Sequence, residues 1–221
     1  AFGTSAGVLS DVSVKSVNSV AQTTLTAGST AGEAQVWARV ASATASMTVR
    51  VLPGPPARVR LLVNPLNTEA GGDIDLTAEV RDAFGNPVAD GTPVIFRTTL
   101  GSLSASSVDS KQGRAQSRLV AGGKVGKADV TVEAGKGSAS EQVSFLPGPP
   151  HSLSLSVDSP EVEVGSDVQV RATVVDAWGN AVANDTPVTF QTTRGSVSTG
   201  LSKTVDGEAI VFLAVDDCRP N

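Results

Sequence analysis

Polar and apolar residues alternate with a period of two along much of this chain. The clearest case is residues 73–81, where Ile74, Leu76, Ala78 and Val80 point one way and Asp73, Asp75, Thr77, Glu79 and Arg81 the other. Such alternation predicts a strand with one face on a core. Val59, Leu61 and Val63 share a face in the same manner, as do Val94 and Phe96 in a strand over residues 92–98. Further short strands are predicted at Leu103 and at residues 115–120, 128–132 and 142–145. Between them lie turn-rich segments such as AFGNPVADG (83–91), where Gly85 and Asn86 are expected to supply positive φ. No stretch carries a helical period long enough to predict a helix. Seven short strands within residues 53–146 give an all-β fold built as a two-sheet antiparallel sandwich.

The pattern recurs at a fixed offset of 94 residues. DAFGNPVADGTPVIFRTTLGS (82–102) and DAWGNAVANDTPVTFQTTRGS (176–196) align without a gap and share 14 of 21 positions. LPGPP occurs at 52–56 and again at 146–150. The same offset places AQSRLVAGGKVGKADV, from Ala115, on AQTTLTAGSTAGEAQV, from Ala21. An array of similar units is the reading this demands. Residues 1–52 are expected to be the C-terminal half of one unit, 53–146 a complete unit, and 147–221 the N-terminal part of a third that lacks its last two strands. In the third unit Leu153, Leu155 and Val157 share a face, as do Val168, Val170, Ala172 and Val174. Consecutive prolines at each boundary favour stiff, extended linkers and hence a semi-rigid array. Phe84 and Trp178 occupy equivalent turn positions, and each is expected to plug one end of its own sandwich.

Composition narrows the function classes. Aromatic residues are 4% of the chain and Tyr is absent, so the core is aliphatic. A net charge of −5 with interspersed acids and bases argues against nucleic-acid binding, which needs a basic stripe. No apolar run is long enough to span a membrane as a helix. The first residues, AFGTSAGVLS, do not read as a signal peptide. One cysteine, Cys218, excludes an intrachain disulfide.

The motif D-A-[FW]-G-N-x-V-A-x-x-T-P-V-x-F-x-T-x-x-G-S, followed by QGRA (112–115) or DGEA (206–209), resembles the bacterial Ig-like group 1 (Big-1) domain of the invasin and intimin family of surface adhesins. The resemblance covers nearly the whole chain. It implies tandem Ig-like β-sandwiches in an extracellular, cell-surface stalk that carries a receptor-binding tip. No tip domain rich in cysteines and aromatics is present here, so receptor recognition transfers to no residue of this chain.

Candidate chemistry is sparse. His151 is the sole histidine and is expected at the surface, and no nucleophile elbow is expected to accompany it. With one His and one Cys, a zinc site is not expected. Acids gather at Glu69, Asp73 and Asp75 and at Glu161, Glu163 and Asp167, where a solvated strand face is favoured over a calcium site. No catalytic residue, cofactor or metal is therefore expected. Trp37 lies on the outward face of AQVWARV with Gln35 and Arg39, where it marks an interface, a sugar platform or a cover for a neighbouring strand. Val211 and Phe212 are candidate interface residues, because the strands that follow their equivalents in the complete unit have no counterpart here.

The leading expectation is a structural and adhesive extracellular module, a stalk or fibre segment, and not an enzyme. Its partners would be further repeats or neighbouring copies, with host or cell-surface proteins bound by other domains. One alternative is a filament subunit whose residues 34–52 complete a neighbour's third unit by strand addition. A second alternative is a carbohydrate-binding accessory module.

Overall fold

A computed structural model describes residues 1–215. Cys218 lies outside the described residues. The first repeat holds β1 (Phe2–Thr4), β2 (Val8–Leu9), β3 (Leu25–Thr26), β4 (Gly32–Val40) and β5 (Ala43–Val51). The middle repeat holds β6 (Arg58–Asn64), β7 (Asn67–Glu69), β8 (Asp73–Arg81), β9 (Pro93–Thr98), β10 (Ser102–Leu103), β11 (Ser107–Asp109), β12 (Arg114–Val120), β13 (Gly126–Ala134) and β14 (Gly137–Leu146). The last repeat holds β15 (Ser152–Val157), β16 (Asp167–Val175), β17 (Pro187–Thr189), β18 (Ser196–Val197), β19 (Leu201–Lys203) and β20 (Glu208–Ala214). Among the described residues there is no helix, so none is long and apolar enough to cross a membrane.

The middle repeat is a sandwich of two sheets, β10-β12-β8-β6 and β11-β9-β13-β14-β7. Alternation in β8 buries Ile74, Leu76, Ala78 and Val80 completely, against Val94, Phe96, Val130, Val132 and Val143 from the facing sheet. Two strands depart from the sequence reading. β7 and β11 are three residues each, too short to show a period. β7 also pairs parallel to the end of β14, Ser144 with Asn67 and Leu146 with Glu69, so the sandwich is not purely antiparallel.

The last repeat repeats the first of those sheets as β15-β16-β20-β18. Its core is smaller: Ala172, Val174, Val182, Val188, Phe190, Ala209 and Val211. Leu61 in β6 is 6% exposed, whereas its equivalent Leu155 in β15 is 63% exposed. The alternation of Leu153, Leu155 and Val157 is present, but their face is not buried. In the middle repeat β14 packs across β6, and the described residues hold no strand in that place over β15. The first repeat shows the converse. Its β1-β4-β5 sheet buries Ala34 yet leaves Val40 and Met47 exposed.

Candidate functional site: the interdomain junction

Among the described residues, the most heavily bonded side chains sit where repeats meet. Asp82 and Asp176 open the two copies of the shared motif, and both are almost wholly buried. Asp176 accepts four hydrogen bonds, each at 2.9 Å: from the Gly148 backbone amide and Asn180 Nδ2 on Oδ2, and from the backbone amides of Trp178 and Asn180 on Oδ1. Asp82 accepts the same set from Gly54, Asn86 Nδ2, Phe84 and Asn86, again each at 2.9 Å. The Asn86 side-chain amide does most to hold Asp82 down; burial pushes the other way, the Gly54, Asn86 and Phe84 amides add to the lowering, and the pKa is about 2. For Asp176 burial is the largest influence and pushes the carboxyl up. The Asn180 side chain and the Gly148, Asn180 and Trp178 amides outweigh it, and this pKa is also about 2. Hydrogen bonds to a carboxylate favour its charged form, which is why four of them win.

The linker explains one of those bonds. In P-G-P-P only the glycine has a backbone N–H. Gly54 and Gly148 each give theirs to the aspartate of the following repeat. On the other side, the carbonyl of Leu146 accepts from Ala70, fastening that residue to the middle repeat. Pro147 is therefore the only residue between one fastened to the middle repeat and one fastened to the last, and its own φ is fixed by the ring. In the first junction Val51 pairs with Gly32 and Gly54 is bound to Asp82, which leaves Leu52 and Pro53 between.

The asparagines then cross the junction. Asn180 Nδ2 donates to the carbonyl of Gly123 at 2.9 Å, and Asn86 Nδ2 donates to the carbonyl of Ser29 at 2.8 Å. Asn86 also accepts from the Ala31 amide at 3.0 Å. Gly85 and Gly179 adopt φ of +91° and +83°, as a glycine in that turn should. Asn86 does not; the motif needs its side chain, not a left-handed backbone. Trp178 is likewise no plug for its own sandwich. Its ring lies on the middle repeat, where a Cβ built on Gly71 would stand 3.1 Å from Cζ2. It remains 58% exposed, and Phe84 is 72% exposed.

The other candidates fall outside this site. Trp37 is 42% exposed, stands opposite Gly3 in the β1–β4 pairing, and lays its ring over that glycine. Gly3 offers no side chain to pack, and a cross-strand aromatic supplies the missing cover. Val211, expected to lie uncovered, is 1% exposed, because it pairs with Val170 and packs in the core that includes Val188 and Phe190. Phe212, its neighbour on the other face, is exposed. His151 is exposed, and its backbone amide bonds to Val175. A G-x-S-x-G sequence does occur, at residues 3–7, against expectation. It lacks the strand–turn–helix that makes a nucleophile elbow, and Ser5 Oγ accepts from the Gln35 amide at 2.8 Å. Asp73 and Asp75 pair with Arg118 at 3.4 and 3.3 Å. Among the described residues no three acids, histidines or cysteines group as a metal site, and every buried side-chain nitrogen or oxygen has a hydrogen-bond partner.

Comparison with known proteins agrees with this picture. Residues 63–148 match the family model for invasin domain 3. Over 121 residues the chain is 36% identical to the inverse autotransporter adhesin YeeJ of Escherichia coli (strain K12), which takes in 52% of this chain and 5% of that protein. The chain thus spans only a small part of the length of this curated relative. In fold it resembles invasin, a bacterial integrin-binding protein, with a TM-score of 0.67 at 22% identity over 98% of this chain and 47% of that one. It also resembles the Escherichia coli adhesin FdeC, with a TM-score of 0.58 at 22% identity over 86% of this chain and 67% of that one. The chain is all-β, with Ig-like sandwiches of the kind seen in invasin and FdeC, and residues 63–148, where the family model matches, include the first copy of the D-A-[FW]-G-N motif.

Proposed function

We propose that this chain is a spacer segment in the stalk of a bacterial surface adhesin, with units at 1–52, 53–146 and 147–221, acting outside the cell to hold other domains away from it. The observation that carries the reading is the junction: Leu146 is bonded to the middle repeat, Gly148 to the last, and a proline alone lies between. A linker with so few free torsions transmits orientation from one unit to the next. The hydrogen bonds of the junction fix geometry, and the work proposed for the chain is mechanical rather than catalytic. The partners of this segment are further repeats of its own array, and any host receptor is met by other domains. Of the residues expected at an interface, Trp37 covers Gly3, Phe212 remains exposed and Val211 serves the interior. Nuclear relaxation measured separately on the middle and last repeats tests the reading: common tumbling supports it, and independent tumbling refutes it.

A further inference from the structure

We propose that positions 123 and 178 form a size-matched pair that decides which repeat can follow which: a glycine socket takes a tryptophan, and a serine socket takes a phenylalanine. Backbone conformation does not demand glycine at 123, since only glycines with φ between +20° and +160° are strained by a side chain and Gly123 is not among them. With the Trp178 ring in place, space does. A Cβ there would stand 2.5 Å from Trp178 Cε3 and 3.0 Å from Cδ2. Gly71, which meets the ring at Cζ2, Nε1 and Cε2, has φ of +84° and is glycine on backbone grounds as well. One offset earlier the equivalent of Gly123 is Ser29 and the equivalent of Trp178 is Phe84. An asparagine bond of nearly the same length crosses both junctions, 2.9 and 2.8 Å. At fixed approach a larger socket residue leaves room only for a smaller ring, and a smaller ring on glycine leaves a gap. The second junction thus carries a matched combination, Gly123 with Trp178, and the first differs from it at both members together, Ser29 with Phe84; exchanging one member alone is expected to break the fit. The inference rests on the stalk reading for its consequence, the order of repeats, and on the Trp178 contact for its substance.

The test uses the full chain carrying Trp37→Phe, so that Trp178 is the only indole. Gly123→Ser, and Gly123→Ala in a second variant, should red-shift Trp178 emission, raise its quenching by acrylamide and loosen the common tumbling of the middle and last repeats. Adding Trp178→Phe to Gly123→Ser should restore common tumbling. Unchanged emission and quenching in both Gly123 variants would overturn the proposal, as would a double variant no tighter than Gly123→Ser alone. The amide spectrum of Ile74, Leu76 and Val130 reports whether the middle core remains folded. Should the parent repeats tumble independently, the stalk reading fails, while emission and quenching still decide the socket.

Discussion

Asn180 reaches out of the last repeat to the carbonyl of Gly123 in the middle one, 2.9 Å away, and the same side chain holds Asp176 at 2.9 Å. One residue thus joins the turn, the buried carboxylate and the preceding repeat. Asn86 repeats the arrangement with Ser29 and Asp82. Local folding and interdomain geometry are therefore coupled through a single pair of residues at each boundary.

Replacing Asp176 by alanine removes the acceptor for three backbone amides, of Gly148, Trp178 and Asn180, and frees the linker. Buried donors left without partners are costly. The last repeat should melt lower by on the order of 5–10 °C, and the Gly148 amide should lose its protection against hydrogen exchange. Asp176→Asn should fall between, because its amide nitrogen faces donors.

Acid should act through the same carboxyls. Both have pKa values of about 2 in the folded chain, against 3.8 for an ordinary aspartate. A depressed folded pKa gives stability that is complete above the unfolded value and disappears as pH falls through the folded one. Melting temperature should therefore hold steady above pH ~5 and decline between about pH 4 and 2. In a chain carrying Asp82→Asn and Asp176→Asn, this part of the decline should be absent.

Phe96 and Phe190 are equivalent, but the first lies within a full sandwich and the second in a smaller core. Phe96→Ala should cost about 3–5 kcal/mol in denaturant unfolding of the middle repeat. Phe190→Ala should cost less, because its side chain begins less completely buried. Equal losses would show the last repeat to be as well covered as the middle one.

Trp37 should matter to its own sheet. Trp37→Thr, the residue its equivalent position 131 carries, uncovers Gly3 and should destabilise the first repeat by up to about 1 kcal/mol in denaturant unfolding.

What the sequence reveals follows from how local each signal is. β8 was legible because its nine residues alternate without interruption. β7 and β11 were not, since three-residue strands are held by their partners and not by a pattern of their own. The gapless D-A-[FW]-G-N identity marked the junction turn. It could not say that Asp82 binds Gly54, 28 residues back, or that Asn86 binds Ser29, 57 residues back, because such bonds leave no period. Asn86 invites a positive φ on sequence grounds, because asparagine commonly supplies one in turns, whereas its side chain is what the motif uses. Val211 would lie bare if the equivalents of β13 and β14 were its only cover. Val188 of β17 and Phe190 directly after it share its core instead.

The central claim is that each boundary is a fixed joint, and heteronuclear relaxation on the parent chain beside an Asn86→Ala/Asn180→Ala variant tests it most directly. The account predicts one rotational correlation time shared by all three repeats in the parent, and separate, shorter times in the variant with each repeat's amide spectrum retained. Independent tumbling in the parent, or a variant that stays as rigid as the parent, would contradict it.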